Sequence, residues 1–336
     1  MNSAPSSSLS LNGRLPSVNG SSALSSPHPD HDYSSSHESA LFSAHNGYTQ
    51  VPYHVHNEQI VHHLYHAGFQ TGNYSDTILH VHQSAYRLHA IMLSRSPYLA
   101  HLMSTSPQSG GQRAIYVQLD HEPEVTQEGF AIALGYLYSP ISLSLIRPEN
   151  ARGVLAAGCL LGGMDDLCAY AFETCRRSIS VENIAQWLEF TEHTPSSSNG
   201  SPKSEMSSTS IFGQYAQRLR DDVFNYLVVI LPVALHVNAT APVAEAESPQ
   251  EANGRDTLLR VFSMVPFDLF KAAVESPTFQ IGTDQARFKF AKDAIELRKG
   301  HGAEETVVLA FGGAQGGSAV HVTRKLRKRP LWKVNS

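Results

Sequence analysis

"YSDTILHVHQSAYRLHAIMLSRSPYLAHLM" (Tyr74–Met103) is the stretch on which the fold turns. After Ser75 and Asp76 the chain alternates. Thr77, Leu79 and Val81 fall on one face of an extended strand, and Ile78, His80 and His82 on the other, because successive strand side chains point to opposite faces. "HQSA" (His82–Ala85) suits a tight turn, and "YRLH" returns as a second short strand. Ala90–Arg95 reads as a short helix. Ser96 and Pro97 then open another: the serine oxygen can accept an orphan N–H of the first turn, where proline loses no helical bond. Tyr98, Leu99 and Leu102 supply its buried side.

The same stretch holds His80, His82, His89 and His101 beside Asp76, which raises the question of a metal or catalytic site. His80 and His82 share a strand face, yet no Cys or carboxylate stands at ligand spacing, so they read as exposed strand histidines. His89 falls at a strand-to-helix junction where its ring can bond backbone groups. Asp76 precedes a strand, where a carboxylate accepts backbone N–H groups. Upstream, His62 and His66 have the i,i+4 spacing of zinc ligands on a helix. His63 occupies the place where a zincin carries its glutamate, so a zinc hydrolase is the remote rival. No catalytic residue, metal ligand or cofactor is assigned.

Working outward, "NEQIVHHLYHAGF" from Asn57 places Ile60, Val61 and Leu64 on one side of a helix, and Phe69 extends the set. "AIYVQL" (Ala114–Leu119) is a third strand. "TQEGFAIALGYLYS" is a helix with a stripe of Phe130, Ala133, Leu134 and Leu137, and Thr126 is its expected N-cap. "PENARGVLAAGCLLGG" is a helix stopped by Gly162 and Gly163. "MDDLCAYAFETCRR" turns Leu167, Ala171 and Phe172 inward and ends on basic residues that suit the helix dipole. The expected core is Leu79, Val81, Leu88, Leu93, Leu99, Leu102, Phe130, Leu134 and Leu137.

Four further stretches carry apolar stripes at helical spacing: "VENIAQWLEFTEH", "IFGQYAQRLRDDVFNYLVVI", "DTLLRVFSMVPFDLFKAAVES" and "DQARFKFAKDAIELRK". "EETVVLAF" and "SAVHVTRKL" flank "GGAQGG" and read as a hairpin. Gly312–Gly317 is not a P-loop, since no Lys-Ser/Thr follows and the next element is a strand.

The chain has 336 residues, room for two domains with segments to spare. Charged residues are only 16% and the net charge is -5, so no broad basic surface for nucleic acid is expected. Residues 1–50 are rich in Ser, Pro, Asn and His, lack periodic apolar positions and read as a disordered tail. Residues 194–210 and 238–256 share that composition and read as disordered insertions within helical sequence. Three cysteines, Cys159, Cys168 and Cys175, form no disulfide framework and fit a reducing compartment; Cys168 and Cys175, seven apart on one helix, read as packed thiols. There is no signal-peptide run, and the longest apolar stretch, Tyr226–Val237, is too short for a bilayer and broken by Pro232. An intracellular protein, in nucleus or cytoplasm, is expected. One dense basic cluster, Arg324, Lys325, Arg327, Lys328 and Arg329, reads either as a nuclear import signal or as a solvated tail.

The order and residues resemble the BTB/POZ domain. Ser75 and Asp76 before an alternating strand, His89 before a helix, and Ser96 and Tyr98 opening the next match its pattern. "FAIALGYLYS" is similar to its Phe-x-x-x-Leu-x-Tyr-Leu-Tyr helix, at Phe130, Leu134, Tyr136, Leu137 and Tyr138. The following helices resemble a BACK-type region, in an arrangement similar to fungal germ-cell-less-type proteins. The resemblance implies an α+β fold: a BTB/POZ domain over 57–177, a small sheet flanked by helices, then an all-helical BACK-like region over 178–298, and a C-terminal β-hairpin with a basic tail over 299–336. It also implies a non-enzymatic protein that self-associates as a homodimer and recruits protein partners, with Ile60, Val61 and Leu64 in the dimer contact. A substrate adaptor of a cullin ubiquitin ligase is the alternative. Two positions depart from the family. Ala90 stands where a basic residue usually follows the histidine, which puts the cofactor groove of BTB transcription factors in doubt. The loop "STSPQSGGQR" lacks the glutamate of cullin adaptors, which weakens that alternative.

Overall fold

Alternation across the opening stretch builds a hairpin. Strand β1 (Thr77–Val81) pairs antiparallel with β2 (Ser84–Leu88), from Thr77 opposite Leu88 to Val81 opposite Ser84. The link is shorter than expected. His82 and Gln83 alone make the turn, and His82 adopts φ 51, as tight hairpin turns demand. His82 therefore leaves the strand face that it was expected to share with His80.

After β2 the chain crosses over through α2 (Ala90–Leu93) and α3 (Pro97–Thr105), long enough to return parallel to β1. Strand β4 (Gln112–Val117) takes that place, with Thr77 opposite Arg113 and Val81 opposite Val117. It lies two residues earlier than expected. A short strand unseen in the sequence, β3 (Gln108–Ser109), pairs antiparallel with it, giving the order β2-β1-β4-β3. The inner face carries Thr77, Leu79, Val81, Leu88, Ile115 and Val117, all buried. On α3 the buried pair is Leu99 and Met103, one helical turn apart, and Leu102 is only half-buried, so the expected core was one position out of phase there.

This is a computed structural model, and it describes residues 53–109, 111–192, 209–237, 249–279, 281–300, 305–311 and 320–326. The expected tail (1–50), residues 194–208 and 238–248 of the expected insertions, Gly312–Gly317, and Arg327, Lys328 and Arg329 lie outside the described residues. Ahead of the sheet, α1 (Tyr53–His63) continues into a π-helical turn (Leu64–Gln70) that buries Tyr65 and Gly68. Behind it stand α4 (Gln127–Tyr138), a 3-10 turn (Pro140–Leu145), α5 (Ala151–Leu161) and α6 (Asp165–Ser178). Thr126 caps α4 by accepting the Gly129 N–H at 3.0 Å. Gly162 ends α5 at φ 69.

The remaining helices are α7 (Ile184–Glu192), α8 (Gln214–Asn225), α9 (Leu231–Ala234), α10 (Pro249–Met264), α11 (Phe267–Glu275) and α12 (Asp284–Gly300). Helix α10 begins inside the segment expected to be an insertion up to Asp256. Its first turns are poor in apolar residues, which is why composition pointed to disorder. At Gly254 the helix closely approaches the preceding segment: Gly254 is buried, and a Cβ there would stand 2.2 Å from the Leu235 carbonyl oxygen. The other insertion was expected to reach Ser210, but Thr209 is buried and Ser210 opens a 3-10 turn (Ser210–Phe212).

Phe262, Phe270, Phe279 and Phe290 close the core of these later helices. Phe262 meets Phe290 edge-on with centroids 5.1 Å apart and stacks on Phe279, also at 5.1 Å. Last, β5 (Glu305–Phe311) and β6 (Val320–Leu326) pair antiparallel. Lys271 of α11 donates to the Val322 carbonyl at 2.7 Å, and the Val322 N–H donates to Glu275 at 2.7 Å, so β6 is tied to α11. One continuous core of buried residues runs from Tyr65 to Val322.

Candidate interaction surface

The polar residues of the opening stretch form a frame. Asp76 Oδ1 accepts the Ala90 N–H at 2.7 Å and the Thr77 hydroxyl at 3.0 Å. The Asp76 backbone bonds Leu88 on one side and Arg113 on the other, so one residue joins β1, β2, β4 and the start of α2. His89 sits between two partners. Its Nε2 is 2.8 Å from the Asn73 carbonyl, and its Nδ1 is 3.0 Å from the Tyr138 hydroxyl. A carbonyl only accepts, so Nε2 donates. The phenol can then donate to Nδ1 while it accepts the His89 backbone N–H at 2.9 Å. Burial pushes the Tyr138 phenol up to about 12, so it stays protonated.

Ser96 completes the frame. Its buried hydroxyl accepts the Leu99 N–H at 3.2 Å and donates to the Leu161 carbonyl at 2.5 Å, pinning α3 to the end of α5. Phe130, Leu134, Leu137 and Tyr138 are buried; Tyr98 and Tyr136 are half-buried, with their phenols raised chiefly by burial. Ser75 accepts from Arg87 Nε at 3.4 Å. Through these bonds and this packing the ten residues join the strands, α2, α3, α4 and α5 into one frame.

Several large side chains around that frame are turned to solvent. Helix α1 buries no residue at all. Tyr53 is 82% exposed and Ile60 45%. Tyr74, 94% exposed, directly follows Asn73, and Ile91, 76% exposed, lies two positions after His89. Of the expected contact residues, only Ile60 faces outward; Val61 and Leu64 are half-buried, and Leu64 packs against the core. The sheet's outer face adds Tyr116, whose ring stacks on His80 at 4.7 Å.

The His62 and His66 rings touch, with centroids 4.1 Å apart, and His66 Nδ1 lies 2.7 Å from Gln70 Oε1. Among the described residues no group of three or more His, Cys, Asp and Glu stands close enough to hold a metal. No helix among them is long and apolar enough to cross a membrane.

No family profile matches the chain. The chain is similar to a BTB/POZ protein. That relative is BTB/POZ domain-containing protein 2 of Schizosaccharomyces pombe, 28% identical over 286 residues, which cover 81% of this chain and 90% of the relative. The similarity supports the BTB/POZ family, and a small sheet covered by helices fits it.

Within that BTB/POZ-like architecture, Tyr53, Tyr74, Ile91 and Tyr116 were not singled out by sequence. Lone aromatic or aliphatic residues beside turns look like core residues until their direction is known. Tyr74 had the only available signal: it lies in a turn between Asn73 and Ser75, and its φ is 61. Of the basic cluster, Arg324 and Lys325 have their backbones in β6, opposite Val307 and Thr306.

Proposed function

We propose that this chain is a non-enzymatic BTB/POZ interaction protein that works as a homodimer. In this reading the outward face of α1, with Tyr53 and Ile60, packs against a second copy in an isologous contact. The later helices, α7 to α12, form a BACK-like platform of the fungal germ-cell-less type for a further protein partner. The observation that carries the reading is an amphipathic imbalance: a helix of eleven residues buries none of them yet exposes Tyr53 and Ile60. Similarity to a BTB/POZ protein over most of both chains supports it.

Sedimentation equilibrium of the full chain at tens of micromolar (on the order of typical assay concentrations) should give a dimer, and Ile60→Asp a monomer. A monomeric wild type at that concentration overturns the homodimer. Affinity purification of the tagged chain then identifies the partner; a cullin among the captured proteins selects the ligase-adaptor function instead. The protein is intracellular in this reading. Replacing Arg327, Lys328 and Arg329 with Ala in a fluorescent fusion tests nuclear import: the variant should lose nuclear enrichment, and an unchanged distribution assigns the cluster to a solvated tail.

A further inference from the structure

The three thiols are not equivalent. Cys159 lies on α5, half-buried, with an edge open to solvent; Cys168 and Cys175 lie on α6 and are buried. Helices α5 and α6 are consecutive, reverse direction through Gly162–Met164 and pack along their length. That reversal sets Cys168 over the α5 backbone beside Cys159: a Cβ added to Gly158 would stand 2.8 Å from the Cys168 sulfur. Only a residue without a side chain lets the sulfur in so far. The two thiols are hydrogen-bonding neighbours there, and that bond is the largest influence on each, drawing Cys159 down and pushing Cys168 up. Tyr215 of α8 feels both sulfurs, so the pair sits where three helices meet.

Cys175 is outside this arrangement. It is seven positions from Cys168 on the same helix, about 10 Å along the axis. A disulfide spans at most about 7 Å between Cα atoms, so those two cannot pair without unfolding the helix. Cys175 is also buried, which keeps a peroxide from reaching it directly.

We propose that Cys159 and Cys168 form a built-in oxidation site, a dithiol that a peroxide closes to an intramolecular disulfide bridging α5 and α6. Cys159 is the entry point, because it is the thiol with solvent access. Its thiolate attacks one peroxide oxygen, the O–O bond breaks, and the departing hydroxide takes up a proton and leaves as water. The product is a sulfenic acid at Cys159. The Cys168 sulfur then attacks the Cys159 sulfur, the S–O bond breaks, and the hydroxide leaves as water with the Cys168 proton. In sum, two thiols and one peroxide give one disulfide and two waters, with two electrons passing from sulfur to oxygen. Because the two thiols are already neighbours across the α5–α6 contact, the bond clamps that helix pair.

The test uses the full native chain and hydrogen peroxide. After oxidation, remaining thiols are alkylated without reduction, and the chain is unfolded and cut before Asp165. That cut separates Cys159 from Cys168 in sequence, so only a disulfide holds the two fragments together. The expected result is joined fragments lacking two hydrogens, a fall from three alkylatable thiols to one, and Cys175 as the one that remains. Cys159→Ser and Cys168→Ser should each abolish the joined species, while Cys175→Ser preserves it. Circular dichroism of each variant reports whether the helices survive. Three results overturn the proposal: Cys159 carried to sulfinic acid with Cys168 still alkylatable; no thiol lost from a chain whose helices are intact; or fragments joined through Cys175. If Cys168→Ser fails to fold, the Cys159→Ser and Cys175→Ser pair decides.

Discussion

The region around the sheet and the later helices hold themselves together by different means. From Asn73 to Leu161 the joints are polar and directional: Asp76 reaches Ala90, His89 reaches Asn73 and Tyr138, and Ser96 reaches Leu161. From Leu258 to Arg298 the joints are aromatic: four phenylalanines share one cluster, and Arg298 crosses it to the Val265 carbonyl at 2.5 Å with its guanidinium 5.1 Å from the Phe270 ring. A polar joint needs a particular residue at a particular place. An aromatic cluster needs only enough apolar volume that fills the space without voids. The first region therefore carries a readable residue pattern, and the second reads only as helices.

The sharpest way to break this contrast is to truncate one large side chain in each region. Phe262→Ala should cost about 3–5 kcal/mol and Leu134→Ala about 2–5 kcal/mol, since both side chains are fully buried. Urea unfolding of the full chain checks both. If the Phe262 variant lost under 0.5 kcal/mol, the cluster would not be a core, and the later helices would be held by something else.

Next comes the polar frame. Tyr138→Phe removes the acceptor of the His89 N–H, and an orphaned buried donor costs about 1–3 kcal/mol. The same residue sets an alkaline limit. Its phenol ionises near 10 when unfolded and about 12 when folded, so between those values the unfolded chain has lost the proton and the folded chain still holds it. Stability is full below pH 10 and falls as pH rises toward 12. The Phe variant should lack that share of the fall, so its deficit against the wild type narrows across the window. A constant deficit would show that the phenol does not titrate with folding.

Smaller still is Ser96→Ala, at about 0.5–2 kcal/mol for a lost N-cap. Smallest is Ile60→Asp: its effect on thermal stability of the monomer should stay within about 0.5 kcal/mol, as for a surface position. In sedimentation it should nevertheless halve the mass. A large stability loss with unchanged mass would move Ile60 from the surface of this comparison into its frame.

Period and punctuation alone were enough for several elements. Alternation over Thr77–Val81, the Ser96-Pro97 start and the Thr126 cap all act within a few residues, so local sequence determines them. The frame roles of Asp76 and His89 were legible for the same reason, since each stands at a junction where backbone groups lack partners. Tertiary structure decided everything that depends on a distant neighbour. It set which of Ile60, Val61 and Leu64 faces outward, because α1 has no packing of its own to declare a side. It brought Gly254 of α10 close against the Leu235 carbonyl, a contact that composition does not show. It brought Cys159 against Cys168, because that meeting depends on how closely α5 and α6 pack, and spacing along a chain does not encode the distance between two helices.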